Sequence, residues 1–358
     1  MIEDAEYRKN LIKIAEKLRK EWISIPTDAA GNPTETYLEY LSLMYAPEIA
    51  QIVHHLEVFP NLTSLLKFSR KVNIEKKELS KLLENVANRG FIVNFGKQYS
   101  LPTPLFVWDV PFIFAINYES EEAERFAQLG LKFFYDEEYY KRWETEQDGT
   151  PRHRVLSVSE EITPKDEIVP IEEVYGIIEQ NDKLALVSCP CRRRQDIHGG
   201  RECEGKYPLE TCILLGPYAM AALEQDDPSV REINSEDAKK IAKEAAEIGL
   251  VHTTDNKGKN CTILCACCEC CCVLLSGLTR MENPRAIGKA NYIATVDEEF
   301  CEACGTCVSR CKFHAIEVNE VAEINHEKCM GCGLCAITCP TEAISIQRWE
   351  REEIPMER

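Results

Sequence analysis

Apolar and polar positions alternate with helical spacing through most of the first half of the chain. After an acidic start, residues 1–24 read as one amphipathic helix, and TDAAGNPTET as a loop. Residues 47–101 then predict a helix, two more helices in PNLTSLLKFSRK and NIEKKELSKLLENVANRG, and a hairpin in FIVNFGKQYSL. ESEEAERFAQLGLKFFYDEEYYKRWETEQDG continues as a long acidic helical region. Farther on, IVPIEEVYGIIEQND reads as a helix and KLALVS as a short buried strand. SEDAKKIAKEAAEIGL is another amphipathic helix, with Ser235 as N-cap and Gly249 near its end. Near the C-terminus the period shortens to two. NYIATVD and AISIQRW form an expected strand pair, and AIEVNEVAEINH is compatible with a hairpin.

The element order over residues 47–101 resembles a winged-helix domain, with its wing near Gly96. Residues 61–100 carry eight basic and three acidic side chains. On one reading the helix over 74–89 enters a DNA groove with Lys76, Lys77 and Lys81 on phosphates. On the other it is a protein-docking or dimerisation module with a solvated basic face. Acidic flanks, and the lack of an arginine or aromatic cluster beyond Arg70 and Arg89, favour the second. Nucleic acid is then not the expected partner; a partner protein, or a second copy of the chain in a homo-oligomer through this segment, is.

Cysteine usage sharpens the picture. All 19 cysteines lie at or after Cys189, and the first 188 residues have none. The N-terminus lacks the basic start and apolar run of a secretory signal, and FVWDVPFIF is too short and too interrupted to span a bilayer. The expected compartment is the reducing cytoplasm, where crowded thiols bind metal more often than they pair. The net charge of −18 is concentrated in residues 101–180, which hold 18 acidic and 7 basic side chains. That balance favours solubility and disfavours general nucleic-acid binding.

The most specific pattern is a duplication. CEACGTCVSRCKF places Cys301, Cys304, Cys307 and Cys311; CMGCGLCAITCPT repeats the spacing at Cys329, Cys332, Cys335 and Cys339. A [4Fe–4S] cube needs four thiolates. Three come from one tight loop, and the fourth cysteine of each run crosses to the other cluster. The expected ligand sets are Cys301, Cys304, Cys307 and Cys339 for one cluster, and Cys329, Cys332, Cys335 and Cys311 for the other. Gly305, Gly331 and Gly333 suit loops that wrap closely around inorganic sulfur. Over about 58 residues the module resembles the bacterial two-cluster ferredoxins. Lys312 departs from that family, which usually has proline there, as at Pro340 in the second half. Zinc is the chemical rival to iron in this module.

Eleven thiols lie outside it: Cys189, Cys191, Cys203, Cys212, Cys261, Cys265, Cys267, Cys268, Cys270, Cys271 and Cys272. They supply one or two additional [4Fe–4S] clusters, with zinc or an unusual larger cluster as the alternative and two or three thiols left for packing. If CTILCACCECCC is largely helical, its cysteines pair at i, i+4 and line more than one face. Arg192, Arg193 and Arg194 read as charge compensation for a cluster, as a docking site for an acidic partner, or as a solvated basic loop. His198 and His252 each stand where an imidazole could replace a thiolate, but with spare cysteines nearby the favoured reading is an ordinary structural histidine. Residues 165–348, with CPCR and GLVHTTDNKGKNCTILCACCECCC, also resemble a cysteine-rich group of anaerobic iron–sulfur proteins, which implies electron transfer.

The expectation is a multidomain α+β protein. It comprises a winged-helix-like domain (1–110), an acidic helical linker region (111–164), a cysteine-rich cluster-binding domain (165–285) and a 2[4Fe–4S] ferredoxin domain (286–350). The cysteine-rich domain is expected as a small α/β or mainly α scaffold. The expected function is a cytoplasmic iron–sulfur electron carrier for an anaerobic redox enzyme or complex, with no catalytic residue of its own. The alternatives are a redox- or iron-responsive DNA-binding regulator and a reductase with an open iron. There is no dinucleotide fingerprint and no P-loop, so nothing supports a nucleotide site.

Overall fold

The computed structural model describes residues 2–19, 24–114, 120–146, 148–158 and 173–351. Parts of the first amphipathic stretch and of the segment before Glu173 therefore lie outside the described residues. Contacts divide the chain into two compact units. The first holds Met1–Glu146, Val187–Arg201 and Met220–Arg231; the second holds Gln147–Leu186, Glu202–Ala219 and Glu232–Arg358.

In the first unit, helix Ala5–Leu18 starts at Asp4, whose carboxylate accepts from the Tyr7 N–H, and buries Leu11, Ile14, Ala15 and Leu18. Helices Glu35–Met44 and Pro47–Val53 follow. Strand β1 (Thr63–Ser64) leads into helices Leu65–Val72 and Lys76–Asn88, then into β2 (Val93–Phe95) and β3 (Gln98–Ser100). The sheet order is β1-β3-β2, with both pairings antiparallel. The hairpin turns on Gly96 and Lys97, both at positive φ, as a two-residue I′ turn requires.

The acidic stretch is helical over Ser120–Leu131, passes through a wider turn at Lys132–Asp136 and ends in helix Tyr140–Trp143. Its charges mask a core. Phe126, Phe133, Phe134 and Trp143 are buried, and Phe134 stacks on Trp108 with ring centroids 4.0 Å apart. In this unit the stretch is core-forming, beyond its expected service as linker or partner face.

Six more strands, most of their residues in the second unit, form one sheet. They are β4 (His153–Val155), β5 (Leu184–Ser188), β6 (Glu210–Leu215), β7 (Arg231–Ile233), β8 (Val251–Asp255) and β9 (Ile263–Cys267), in the order β4-β8-β9-β6-β5-β7. Helix Ser235–Glu247 lays Ala238, Ala242, Ala245 and Ala246 on this sheet. Its N-cap is Asn234, one residue before the expected Ser235; the Asn234 side chain accepts from the Asp237 N–H at 2.8 Å.

Two small ladders complete the unit: β10 (Tyr292–Val296) with β13 (Ile344–Arg348), and β11 (Ile316–Val318) with β12 (Ala322–Ile324). Both match the pairings expected from alternation. The cysteine block does not match the helical option. Residues 263–267 form β9, paired antiparallel with β8 so that Thr253 faces Cys265 and Val251 faces Cys267. A turn at residues 269–271 follows, then helix Val273–Thr279. Cysteine is small and apolar enough to sit in either element, so the seven thiols carried no periodic signal.

Candidate metal centres

In the C-terminal module, the loops between β10 and β13 carry both cysteine runs. The core between the ladders contains Cys307, Cys329 and Cys335 with Ile293, Ala294, Ile316 and Ile344. One largely apolar cavity is lined by Cys311 together with Cys329, Cys332 and Cys335. The fourth cysteine of the first run thus stands with the first three of the second. Burial pushes the Cys332 thiol up to about 12, and the charges of Cys311 and Cys329 add to this. On the other side Cys304 feels the charge of Cys339.

Backbone donors are aimed at these sulfurs. The Ala315 N–H donates to Cys311 Sγ and the Ala322 N–H to Cys301 Sγ, each at 3.3 Å. Burial acts to raise Cys339, yet its thiol falls below the usual range because the Thr341 hydroxyl and the N–H groups of Thr341, Ala343 and Ile344 favour the thiolate. The donor set fits iron–sulfur ligation: thiolates in an apolar shell with N–H···S support. Gly331 sits at φ +74°, and a Cβ there would stand 2.4 Å from the Tyr292 carbonyl oxygen.

The middle thiols are sorted by strand alternation and the turn that follows. On one side, Cys267 meets the Cys265 and Cys272 thiols, with the Thr253 hydroxyl 3.5 Å from its sulfur. On the other, Cys268, Cys270 and Cys271 gather around Cys203. Cys203 Sγ lies 4.0 Å from Cys268 Sγ and 3.7 Å from Cys271 Sγ, and the Cys270 and Cys271 sulfurs are 3.6 Å apart. All four sulfurs lie within 4.8 Å of one another, the one such set of potential ligands among the described residues. Tyr207, Ala245, Leu250 and Ala266 enclose them. The Cys268 and Cys270 sulfurs beside it, and then burial, hold the Cys271 thiol far above its usual range.

The remaining thiols are dispersed. Cys212 is buried within β6, and Cys261 has its sulfur 3.8 Å from the Lys257 carbonyl oxygen. Cys189 is the N-cap of helix Pro190–His198, with Cys191 in its first turn, both in the first unit.

Two side-chain groups around the thiols were not foreseen. Glu269, between Cys268 and Cys270, accepts from Lys312 Nζ at 2.9 Å, and Lys312 also donates to the Tyr207 hydroxyl at 3.3 Å. Arg280 clasps Glu202, the neighbour of Cys203, through two bonds of 2.6 and 2.8 Å. The proline missing at position 312 was the one visible signal of the first group.

The arginine run is not a solvated loop. Arg192, Arg193 and Arg194 are buried. Arg194 Nη2 donates to the Trp108 carbonyl and to Asp109 Oδ1, both at 2.9 Å, with its guanidinium 3.7 Å from the Trp108 ring centroid. His198 is exposed, and His252 places Nδ1 3.1 Å from the Cys265 carbonyl oxygen and Nε2 2.9 Å from that of Ala242. Both ring nitrogens of His252 therefore face backbone acceptors.

Residues 294–317 and 322–345 match the model of the 4Fe-4S binding domain family. Among curated proteins none matches the chain. Among the described residues no helix is long and apolar enough to cross a membrane.

Proposed function

We propose that the protein is an iron–sulfur electron carrier serving an anaerobic redox enzyme, with two ferredoxin-type [4Fe–4S] clusters ligated in the crossed pattern. The supporting observation is the cavity that collects Cys311 with Cys329, Cys332 and Cys335, inside a segment matching the 4Fe-4S binding family. When bound, each cluster supplies a one-electron redox centre. The chain's own part is to hold the thiolates, exclude water from the second set and aim N–H groups at sulfur. Cys304 is exposed, and Phe300 and Val308 beside it are 61% and 42% exposed, so the first set offers an edge that a partner protein can reach. The first unit's element order, with β1-β3-β2 pairing, supports reading residues 47–101 as a winged helix. Glu75, Glu78 and Glu84 are interspersed with its lysines, which supports a protein-docking role over phosphate binding.

The test is iron, acid-labile sulfide and reducibility of the full chain, purified and reconstituted without oxygen. The C-terminal module alone accounts for about eight irons and eight sulfides, and each further cube among the other thiols adds about four of each. Dithionite is expected to generate the paramagnetic signal of two magnetically interacting reduced clusters. Fewer than eight irons after full reconstitution, or iron that dithionite leaves unreduced, overturns the reading.

A further inference from the structure

We infer that Cys203, Cys268, Cys270 and Cys271 form a closed tetrathiolate site for a single tetrahedral metal ion, in place of one of the additional cubes expected from the sequence. The inference stands apart from the electron-carrier reading, because it concerns thiols outside the ferredoxin module.

The argument is one of scale. With metal–sulfur bonds of about 2.3 Å, a tetrahedral S4 shell places its sulfurs about 3.8 Å apart. The separations here are 3.6, 3.7 and 4.0 Å, and no pair in the set exceeds 4.8 Å. A cube holds its four thiolates on four different irons, which spreads them to roughly 6 Å. No three of the eight ferredoxin thiols draw together in this way, as expected for thiols spaced to surround cubes. A disulfide is excluded by the same distances, since bonded sulfurs lie about 2.05 Å apart.

The surroundings are those of a structural rather than an open centre. Three of the four thiols are buried and Cys270 is half-buried. Tyr207, Ala245, Leu250 and Ala266 fill the shell around them. The two ligand-bearing loops are each fastened from outside. Arg280 holds Glu202 beside Cys203, and Lys312 holds Glu269 inside the Cys268–Cys271 turn. The Cys272 N–H closes that turn on the Cys268 carbonyl at 3.3 Å, so three ligands come from one compact knuckle. Such a site clips the loop at 202–207 to the end of β9, across 65 residues of sequence. All-sulfur tetrahedral coordination suits zinc or a single iron, and the measurement distinguishes them.

The experiment is elemental analysis for zinc and iron, with labile sulfide, on the full chain purified without oxygen. Alongside it, Co²⁺ is exchanged into the protein. The expected result is one zinc per chain, or one iron without a matching sulfide, and a Co²⁺ spectrum of the tetrahedral CoS4 type. Cys203→Ser is expected to lose that one ion and the cobalt spectrum, while the iron and sulfide of the ferredoxin module stay unchanged. Cys212→Ser, elsewhere in the same sheet, is expected to keep all of them. Two results overturn the inference: no metal beyond that accounted for by cubes, or loss of iron and sulfide together, about four of each, in Cys203→Ser. If Cys203→Ser fails to fold, the wild-type stoichiometry and cobalt spectrum decide alone. Failure of the ferredoxin reading would remove iron and sulfide but leave this ion in place.

Discussion

Arg194 has 1% of its side chain exposed, and its Asp109 partner 18%. Burial raises the Asp109 carboxyl, and Arg194 opposes that rise. Removing one member of a buried pair strands the other, at a cost of about 3–5 kcal/mol. Arg194→Ala is expected to lose that much in denaturant unfolding of the anaerobic protein. A change within 1 kcal/mol would show that the pair is dispensable. In sequence this arginine was one of three in a row, and nothing local distinguishes a buried guanidinium from a solvated one. The deciding partners, Trp108 and Asp109, are more than 80 residues away.

His153 gives the same scale a pH signature. Burial lowers its pKa to about 4, although Asp255 pulls the other way. The unfolded chain takes up this proton below about 6.5, whereas the folded protein stays neutral there. Its contribution to stability is therefore complete above about 6.5 and is lost as pH falls towards 4. His153→Gln is expected to flatten the acid limb of the stability profile. An identical slope in wild type and variant would refute the assignment.

At the level of elements, legibility followed periodicity. The hairpin at Gly96, the helix ending at Gly249 and the two small ladders were visible because alternation, caps and turn residues agreed. The cysteine block was not, since seven thiols in twelve positions fit any period. β9 became a strand through its pairing with β8 and β6, which no local window contains. The ferredoxin loops were legible in finer detail, and their glycines now separate. Gly305 has nothing within 4 Å of an added Cβ, whereas at Gly331 the Tyr292 carbonyl is in the way. Gly331→Ala is expected to lose about four of the module's irons, those of one cube, while Gly305→Ala keeps all eight at reduced stability. Equal iron in both variants would remove the steric argument.

At the level of the whole molecule, the sequence suggested four segments in succession, whereas contacts join the cysteine-rich sheet and the ferredoxin module in one unit. Lys312 is the residue through which that union can be probed. Lys312→Pro restores the usual ferredoxin residue but removes the bonds to Glu269 and Tyr207. The expected outcome is unchanged iron and a stability loss of about 1–3 kcal/mol. A more stable variant would mean that Lys312 contributes nothing to holding the module. Chain crossings between units have no sequence signature: those at residues 186/187 and 231/232 fall inside β5 and β7, where the local pattern is simply that of a strand.

Cys267, the last residue of β9, and Cys268 just beyond it belong to different groups of sulfurs, and this bears on how the protein matures. A slip of one residue against β8 reverses every side chain, which would exchange Cys267 with Cys268 between the two groups of sulfurs. Only one register can bring Cys268, Cys270 and Cys271 to Cys203. Capture of an ion by those four would then act as a proofreading step, locking the correctly paired strand and leaving mispaired chains unmetallated.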